Sequence, residues 1–280
     1  MRDLRRKAIS VLQHAGLDTA DAESSVRWML EALDNSRFHG DWKATFLQWV
    51  DRRATREPVQ YILGSWPFYP LPVELVVRAP ILIPRPETEE LVDRIISHFQ
   101  ATPPMRLVDF GSGSGAIVVS LLHAFQTAKG VAVDPNEAAI SLTEENAIRC
   151  QVRERLSLHH CTAKDFGLEW DSDGDRFDLI VSNPPYIPSN EIQELQADVR
   201  DFEDHGALDG GADGLDVVSE VLTTAKMIGK KGTRVYFEVH HTHPSVFEEG
   251  GSAPPHLQTA LEGFQLVCTV RDVYGQPRFV

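Results

Sequence analysis

Hydrophobic positions recur at helical spacing through the first quarter of the chain. Apolar residues follow one another at steps of three and four in two segments, first Leu4, Ala8, Val11, Leu12 and Ala15, and then Val26, Met29, Leu30 and Leu33. Such spacing places these side chains on one face of a helix. A further amphipathic segment follows, and Pro58 interrupts it before a short closing turn. We therefore predict a small helical bundle, a domain that spans residues 1–64.

The pattern changes between residues 65 and 84. Prolines punctuate short β-branched runs in the stretch "WPFYPLPVELVVRAPILIPRP", which begins at Trp66. Short extended runs separated by turn-forming residues are typical of a hairpin. We predict a β-hairpin linker over residues 65–84.

Extended and helical patterns alternate from residue 85 to residue 280. The main apolar runs are "RLVDF", "GVAVD", "LSLHHCTA", "FDLIVS" and "RVYFEV", and a last pair, "LVCTVRDV" and "RFV", flanks a "YGQP" turn. Strands that alternate with helices form a mostly parallel sheet, and two strands that meet across a tight turn run antiparallel. For residues 85–280 we predict a doubly wound α/β domain, with a mostly parallel seven-stranded sheet that has an antiparallel end.

The acidic composition narrows the classes of partner. The chain has 280 residues, with 41 acidic against 27 basic side chains and a net charge of -14. Because neutralisation of phosphate charge dominates binding to duplex nucleic acid, we expect no duplex DNA partner. No apolar run approaches the roughly 20 residues that span a bilayer, so we expect no membrane partner. Three cysteines without a C-x-x-C pair indicate a reducing compartment.

A glycine-rich segment, "VDFGSGSGA", follows the first strand of the α/β domain and opens a helix. Gly111, Gly113 and Gly115 allow a tight turn and a close approach of the backbone to a ligand. Asp134 lies about 20 residues further on, at the end of the next strand, where a carboxylate can hold ribose hydroxyls. This pattern suits a dinucleotide such as NAD as well as S-adenosylmethionine (SAM).

Asp109 favours SAM over NAD. A carboxylate two residues before the first glycine can receive the ammonium group of the methionine moiety, and it would repel a pyrophosphate. At the end of the third strand, Asp165 could accept the exocyclic amine of adenine and Phe166 could stack on its ring. The structural alternative for this pair is a helix-capping aspartate beside a core phenylalanine.

The segment "SNPPYIP" ends the next apolar run. Proline cannot donate to a sheet and restricts the residue before it, so the strand stops near Ser182. The side-chain oxygen of Asn183 and the carbonyl of Pro184 can accept both hydrogens of a planar, poorly nucleophilic nitrogen, such as a carboxamide or an adenine amine. Tyr186 can cover the plane of that target. We expect methyl transfer by positioning and preorganised dipoles, without a metal.

Five motifs, in this order, resemble the HemK/PrmC family of release-factor glutamine methyltransferases. They are "REPVQYILG" at 56–64, "ILIPRPETEELV" at 81–92, "DFGSGSGAI" at 109–117, "VSNPPYIP" at 181–188 and "ALDGGADGLDVV" at 207–218. The Asn-Pro-Pro-Tyr motif alone is shared with adenine-amine methyltransferases of DNA and RNA. The other segments make the resemblance specific, and it covers nearly the whole chain.

The resemblance implies the fold of a class I SAM-dependent methyltransferase. It also implies transfer of the SAM methyl group to the glutamine of the Gly-Gly-Gln motif in class I peptide release factors, with S-adenosylhomocysteine as the product. We accordingly assign the cofactor to Asp109, Phe110, Gly111, Ser112, Gly113, Ser114, Gly115, Asp134, Asp165, Phe166 and Asn183. We assign the target glutamine to Arg85, Asn183, Pro184, Pro185 and Tyr186. The helical domain and the hairpin would bind the release factor.

Two other functions remain open from the sequence. One is an adenine-amine methyltransferase of RNA or DNA, which would want a basic groove, and the other is a SAM-binding module without activity. We expect a monomer. We expect it to be located in the mitochondrial matrix, because "AVDPNEAAISLTEENA" and "GQPRF" resemble the animal mitochondrial branch of the family. A bacterial-type cytoplasm is the alternative location.

We predict no catalytic role for two clusters of basic side chains. His240, His241 and His243 form a histidine-rich stretch, but no cysteine or carboxylate cluster in the sequence completes a metal site, so we predict a loop. A second cluster, Arg52, Arg53 and Arg56, is interpreted as a solvated helix face.

Overall fold

The N-terminal helices form a bundle with its own core. In the computed structural model, which describes residues 2–34, 40–170, 176–248 and 251–280, these helices are α1 (Arg2–His14), α2 (Thr19–Asp34), α3 (Trp42–Ala54) and α4 (Val59–Leu63). Fully buried side chains fill the space between them, among them Leu12, Met29 and Phe46. Val11, which the helical spacing places on the buried face, is 46% exposed instead. None of the helices in the described residues is both long and apolar enough to cross a bilayer.

A short hairpin connects the bundle to the rest of the chain. Its strands, β1 (Ser65–Trp66) and β2 (Leu75–Val76), pair antiparallel. The ring of Trp66 meets that of Trp28 in α2 edge to face, with 5.0 Å between the ring centroids. On the other side, the backbone of Val76 exchanges hydrogen bonds with the side chain of Asn146 at 2.7 and 3.0 Å. The hairpin is therefore held from both sides.

The rest of the chain is built on a parallel sheet. Its elements, in chain order, are α5 (Pro86–His98), β3 (Arg106–Phe110), α6 (Ala116–Ala124), β4 (Lys129–Asp134), α7 (Glu137–Arg149), β5 (Leu156–His160), α8 (Ala163–Glu169), β6 (Phe177–Ser182), α9 (Ala197–Arg200), α10 (Asp216–Ile228), β7 (Gly229–Phe237), α11 (Pro244–Phe247), α12 (Pro255–Leu261), β8 (Val270–Arg271) and β9 (Pro277–Phe279). Five strands run parallel in the order β5-β4-β3-β6-β7. The order reverses beside β3, which places a ligand crevice at the carboxyl ends of β3 and β6.

The antiparallel end of the sheet is a hairpin of β8 and β9. Phe237, the last residue of β7, exchanges backbone hydrogen bonds with Val280 at 2.8 and 3.1 Å, and Val239 donates to the carbonyl of Arg278 at 2.8 Å. The hairpin thus continues the edge of the five-stranded sheet. The predicted strand "LVCTVRDV" is extended only at Val270–Arg271, so most of that segment is a connection rather than a strand.

Two hydrophobic cores cover the two faces of the sheet. One contains side chains of α5, α6 and α7, including Leu91, Val118 and Ala147. The other contains side chains of α8, α10 and α12, including Leu222 and Leu257. Because helices cover both faces, the strands read as continuous apolar runs, and β6 is buried at five of its six positions.

The basic cluster at the C-terminal end of α3 and just after it links the bundle to the α/β part, which corrects its interpretation as a solvated face. Arg53 is only 2% exposed, and its guanidinium lies 2.7 Å from the carboxylates of both Asp21 and Asp198. Arg56 also pairs with Asp198, at 2.6 Å, and Arg52 pairs with Glu57. Asp198 belongs to α9, in the segment that follows the Asn-Pro-Pro-Tyr motif. The helical bundle is therefore anchored to that segment through buried charge.

Candidate active site

A cavity of about 380 Å³ opens at the carboxyl ends of the central strands. This volume lies within the range of small-molecule sites. Of the residues assigned from the sequence, six line it, namely Phe110, Gly111, Gly113, Asp134, Asn183 and Pro185. The glycine loop and the Asn-Pro-Pro-Tyr corner, separated by about 70 residues in the chain, thus face one space, because β3 and β6 are neighbours in the sheet.

The glycine loop is shaped by backbone conformations that only glycine adopts easily. Gly111, Gly113 and Gly115 have φ angles of +71°, +55° and +79°. A side chain at Gly115 would also lie 3.0 Å from the methyl group of Thr143 in α7. Substitution at this position would therefore strain the backbone and push the loop away from α7.

The N–H groups of the loop are directed at protein acceptors. Those of Gly111 and Ser112 donate to the carbonyl of Val133 at 2.8 and 3.3 Å, and that of Gly113 donates to the carboxylate of Asp134 at 2.9 Å. A dinucleotide site instead points such groups at a pyrophosphate. The loop geometry therefore disfavours NAD, the alternative left open by the glycine pattern.

The cavity carries negative charge. Three carboxylates line it, those of Asp134, Asp204 and Glu220, and none of the described lining residues is a lysine, arginine or histidine. Burial raises the pKa of Asp134, although hydrogen bonds from the backbone N–H groups of Gly113 and Asn136 act in the opposite direction. This charge favours a cationic ligand over a polyphosphate.

Asp109 lies behind the loop rather than in the cavity. Its side chain is fully buried, and Oδ2 accepts a hydrogen bond of 3.2 Å from the backbone N–H of Val118 in α6. Burial raises the pKa of this carboxyl well above its ordinary value, and Oδ1 has no hydrogen-bond partner within the described part of the chain. Asp109 does not line the cavity in this structure, and its contact with a ligand ammonium stays a prediction. The side chain instead fixes the start of α6.

Three further loop residues assigned to the cofactor are also turned inward. Ser112 and Ser114 are 6% and 5% exposed, and Gly115 is buried. The hydroxyl of Thr143 donates to that of Ser112 at 3.4 Å, and the amide of Asn146 donates to the carbonyl of Ser114 at 2.8 Å. These contacts fix the loop on α7, so the three residues shape the site without lining it.

The predicted adenine contacts are not in the cavity, because α8 begins earlier than the sequence suggested. The third strand ends at His160, and Thr162 caps a helix that starts at Ala163. Asp165 consequently lies on the exposed side of α8, where it bonds the Thr162 hydroxyl. Phe166 points into the core, 2% exposed, with its ring edge-on to Phe110 at 5.7 Å.

Cys161, Thr162 and Ala163 line the cavity at the end of β5, and the contacts of Asp165 and Phe166 with adenine stay a prediction. The sequence does hold a signal for this arrangement. Threonine followed three residues later by an acidic residue is the pattern of a helix N-terminus, and residues 162–165 read Thr-Ala-Lys-Asp. The cavity wall at the end of β5 is therefore formed by the first residues of the helix.

The Asn-Pro-Pro-Tyr corner rests on a buried network that the sequence analysis missed. Asn183 donates from Nδ2 to the hydroxyl of Thr88 at 3.1 Å, and this hydroxyl donates to Oε2 of Glu238 at 2.8 Å. The hydroxyl of Tyr186 donates to Oε1 of the same carboxylate at 3.2 Å. Burial raises the pKa of Glu238 to about 7, with the bond from Thr88 acting in the opposite direction. The feature of the sequence that points to this network is the acidic residue within the apolar run "RVYFEV".

A second glycine loop, at residues 207–214, packs against the backbone of the corner. In "ALDGGADG", Gly210 donates from its backbone to the carbonyl of Ile187 at 2.9 Å. A side chain at Gly210 would lie 2.6 Å from the carbonyl of Pro185, and one at Gly214 would overlap the carbonyl of Tyr186. This contact leaves no room for a Cβ atom, which is a physical reason for glycine at both positions.

Arg85 is held away from the cavity. Its guanidinium donates to both carboxylate oxygens of the buried Glu203 at 2.7 Å, and it does not line the cavity. The assignment of Arg85 to the target glutamine stays a prediction. Its contact in the structure ties the start of α5 to the segment between the corner and the second glycine loop.

The histidine-rich stretch lies beside the second glycine loop. His243 is 5% exposed and bonds the carbonyl of Asp213 at 3.0 Å, and the rings of His240 and His241 pack 4.1 Å apart. A different group, Asp213, Asp216 and His256, places one potential ligand atom each within 4.8 Å of the others on the surface. The expectation that no metal takes part stays a prediction.

Both parts of the chain are similar in sequence to known protein families. Residues 3–64 match the family model of the PrmC N-terminal domain, and residues 92–200 match that of the Methyltransferase small domain. The MTRF1L release factor glutamine methyltransferase of Homo sapiens is 39% identical over 240 residues, which is 82% of this chain and 68% of that protein. The release factor glutamine methyltransferase of Caulobacter vibrioides is 34% identical over 215 residues, 75% of this chain and 71% of that protein.

A third relative extends the match. The release factor glutamine methyltransferase of Gloeobacter violaceus is 36% identical over 234 residues, which is 83% of this chain and 76% of that protein. Together with the parallel sheet and its helices, these matches confirm the fold class predicted from the sequence.

Proposed function

Because the chain belongs to the release factor glutamine methyltransferase family, we propose that it methylates the glutamine of the Gly-Gly-Gln motif in a class I peptide release factor. The methyl donor is SAM, the acceptor is the side-chain amide nitrogen, and the second product is S-adenosylhomocysteine. One observation carries the proposal. Asn183, with its amide nitrogen held by Thr88, lines the same cavity as the glycine loop.

The residues of the cavity fit SAM. Asp134 would hold the ribose hydroxyls, and Gly111 and Gly113 would let the backbone approach the methionine moiety. The carboxylates around the cavity complement a ligand whose sulfonium and ammonium groups are both positive. When bound, SAM supplies an electrophilic methyl group.

The corner residues make a poor nucleophile reactive by holding it. An amide nitrogen is a weak nucleophile because its lone pair is delocalised into the carbonyl group. The Oδ1 atom of Asn183 and the backbone carbonyl of Pro184 would accept the two N–H hydrogens, which fixes the nitrogen and favours the localised lone pair. The nitrogen gains one carbon and gives up one proton to solvent. Tyr186 would limit the site to a flat target.

Recognition of the protein substrate is proposed for the N-terminal part. Residues 1–64 and the hairpin linker at 65–84 would bind the release factor, and residues 85–280 would carry the chemistry. The pairs of Arg53 and Arg56 with Asp198 connect these two tasks, since Asp198 follows the corner in sequence. We propose a monomer, and a location in the mitochondrial matrix, which fractionation of the source cells would test.

A labelled-methyl assay tests the proposal. The protein would be incubated with methyl-labelled SAM and a class I release factor, the same factor with glutamine of the motif replaced by alanine, or adenine-containing RNA and DNA. We expect label only in the unaltered factor. Label in nucleic acid would favour the adenine-amine methyltransferase, and no label in any acceptor would favour a SAM-binding module.

The Asn183→Ala substitution tests the role of the corner. Loss of a preorganised acceptor typically lowers kcat by about 10²–10³-fold. Affinity for SAM and the melting temperature should change little by comparison. A variant that melts early but transfers methyl at a normal rate per folded molecule would mean that Asn183 only ends the strand.

A further inference from the structure

Three segments that are distant in the sequence bring polar side chains together behind Asn183. Thr88 comes from the first turn of α5, Tyr186 from the corner, and Glu238 from the residue after β7. Thr88 is 4% exposed and Glu238 is 1% exposed. Thr88 and Glu238 do not line the cavity, so their contact with the reaction passes through Asn183.

When Glu238 is ionised, the directions of the hydrogen bonds in this network are determined. An ionised carboxylate can only accept, so the hydroxyl hydrogen of Thr88 points to Glu238. The same hydroxyl oxygen can then only accept from Asn183, which requires the NH₂ end of the carboxamide to face it. The oxygen end of Asn183 is consequently the end left for a substrate amide.

We propose that Thr88 and Glu238 are positioning residues that hold the Asn183 carboxamide with its oxygen toward the target glutamine. The inference rests on the proposed function, because it concerns the orientation of a group that would accept from the substrate amide. Without this constraint, the carboxamide could turn and present its NH₂ group, which would repel the N–H hydrogens of the target.

Tyr186 gives Glu238 a second task. The phenol donates to Oε1 while Thr88 donates to Oε2, so one carboxylate fixes two residues of the corner. Burial, together with the nearby charge of Glu238, raises the pKa of Tyr186, which keeps the phenol protonated as a donor. Glu238 therefore fixes both Tyr186, which would cover the plane of the target, and, through Thr88, Asn183, which would accept its hydrogens.

Protonation of Glu238 would reverse the network. A carboxylic acid can donate to the Thr88 oxygen, which frees the Thr88 hydrogen to donate to Oδ1 of Asn183, and the carboxamide then turns. The charged and titratable groups that face Glu238 are Glu87 on α5, Tyr186 in the corner and Arg278 on β9. With a pKa of about 7 for Glu238, the fraction of correctly oriented Asn183 should rise as pH rises through neutrality.

Four variants test the inference by steady-state methyl transfer to the release factor. Thr88→Val removes the hydroxyl and keeps the shape, and Thr88→Ser keeps the hydroxyl. Glu238→Gln removes the ionisation. The control is Thr233→Val in the middle of β7, away from the corner. The Thr233 hydroxyl also donates once, to the carbonyl of Phe177, and accepts once, from the N–H of Lys230.

We expect Thr88→Val to lower kcat by about 10–100-fold, the scale of a misplaced reacting group, with KM for the factor and Kd for SAM nearly unchanged. Thr88→Ser should restore most of kcat. The kcat of the wild type should rise with pH through about 7, and that of Glu238→Gln should be flat. Thr233→Val should keep the wild-type kcat and pH profile.

The outcomes separate this inference from the proposed function. A wild type that transfers no methyl group to any release factor overturns the proposed function and the inference with it. With an active wild type, the inference alone is overturned by an unchanged kcat in Thr88→Val, by an equal loss in Thr233→Val, or by a pH profile that Glu238→Gln leaves as it is.

Discussion

The stability of the protein should respond to pH through Glu238. This carboxyl is buried completely, and burial raises its pKa from 4.5 to about 7. The folded state therefore binds the proton more tightly than the unfolded state does. The stability that this group contributes is fully present below pH 4.5 and is lost as pH rises through about 7.

The size of the effect follows from the same pKa values. A change from 4.5 to about 7 corresponds to about 3 kcal/mol, since one pKa unit is about 1.4 kcal/mol. Glu238→Gln cannot ionise, so it avoids this loss. The stability of the variant minus that of the wild type should thus increase by about 3 kcal/mol between pH 4.5 and pH 8, whatever its value at the lower pH.

Urea unfolding of both proteins at a series of pH values would measure this difference. Other titrating groups, such as Asp109 and Asp134, are present in both proteins and cancel. The Thr233 hydroxyl bonds backbone groups, the carbonyl of Phe177 and the N–H of Lys230, so Thr233→Val should give a difference that does not change with pH. A constant difference for Glu238→Gln as well would refute the reasoning, because it would mean that Glu238 ionises equally easily in the folded and unfolded chain.

Three more substitutions test the site and its supports. Asp134→Ala should weaken SAM binding about 10–100-fold, because a charge-assisted hydrogen bond contributes about 1.5–3 kcal/mol; unchanged affinity by calorimetry in a folded variant would contradict the ribose assignment. Gly214→Ala should lower both the melting temperature and the turnover, because the added methyl group would contact the corner. The control is Gly16→Ala, which is also at positive φ but has open space around it, so only backbone strain should lower its melting temperature. Equal effects of the two substitutions would rule out a role of the contact with the corner. Arg53→Met should lower the free energy of unfolding by about 1.5–3 kcal/mol, because charge-assisted hydrogen bonds to Asp21 and Asp198 are lost while Asp198 keeps its pair with Arg56. Asp198→Asn should cost less in this background than in the wild type in urea unfolding, and full additivity would show that Arg53 and Asp198 are not coupled.

Elements with regular local patterns could be predicted from the sequence. The helices of the bundle and the parallel strands carry their spacing in the chain itself, and the glycine loop was found because a tight turn needs glycine at fixed positions. The role of Arg53 could not be found in this way. Its partner Asp198 lies 145 residues further along the chain, and nothing local distinguishes a guanidinium in an ion pair from a solvated one.

Several candidate residues lie outside the cavity for local reasons. The sequence pattern extends the third strand three residues past its end at His160, which places Asp165 and Phe166 at the carboxyl end of that strand. The capping pattern at Thr162 would have started the helix there and turned both side chains away. Asp109 was assigned to the ligand from its distance in sequence to the glycines, but the pleat of β3 points its side chain into the protein.

Glu238 shows why motifs that are far apart in the chain depend on one another. The segment "PETEELV" contributes Thr88 and the corner contributes Asn183 and Tyr186, and the carboxylate that accepts from both Thr88 and Tyr186 lies in neither segment. The acid comes from the end of β7, which lies beside β6 in the sheet, so the residue after β7 emerges directly under the corner. A buried carboxyl is costly unless its acceptors are used, and here both oxygens accept a hydroxyl. The position of Glu238 is thus set by the sheet, and the orientation of Asn183 follows from it.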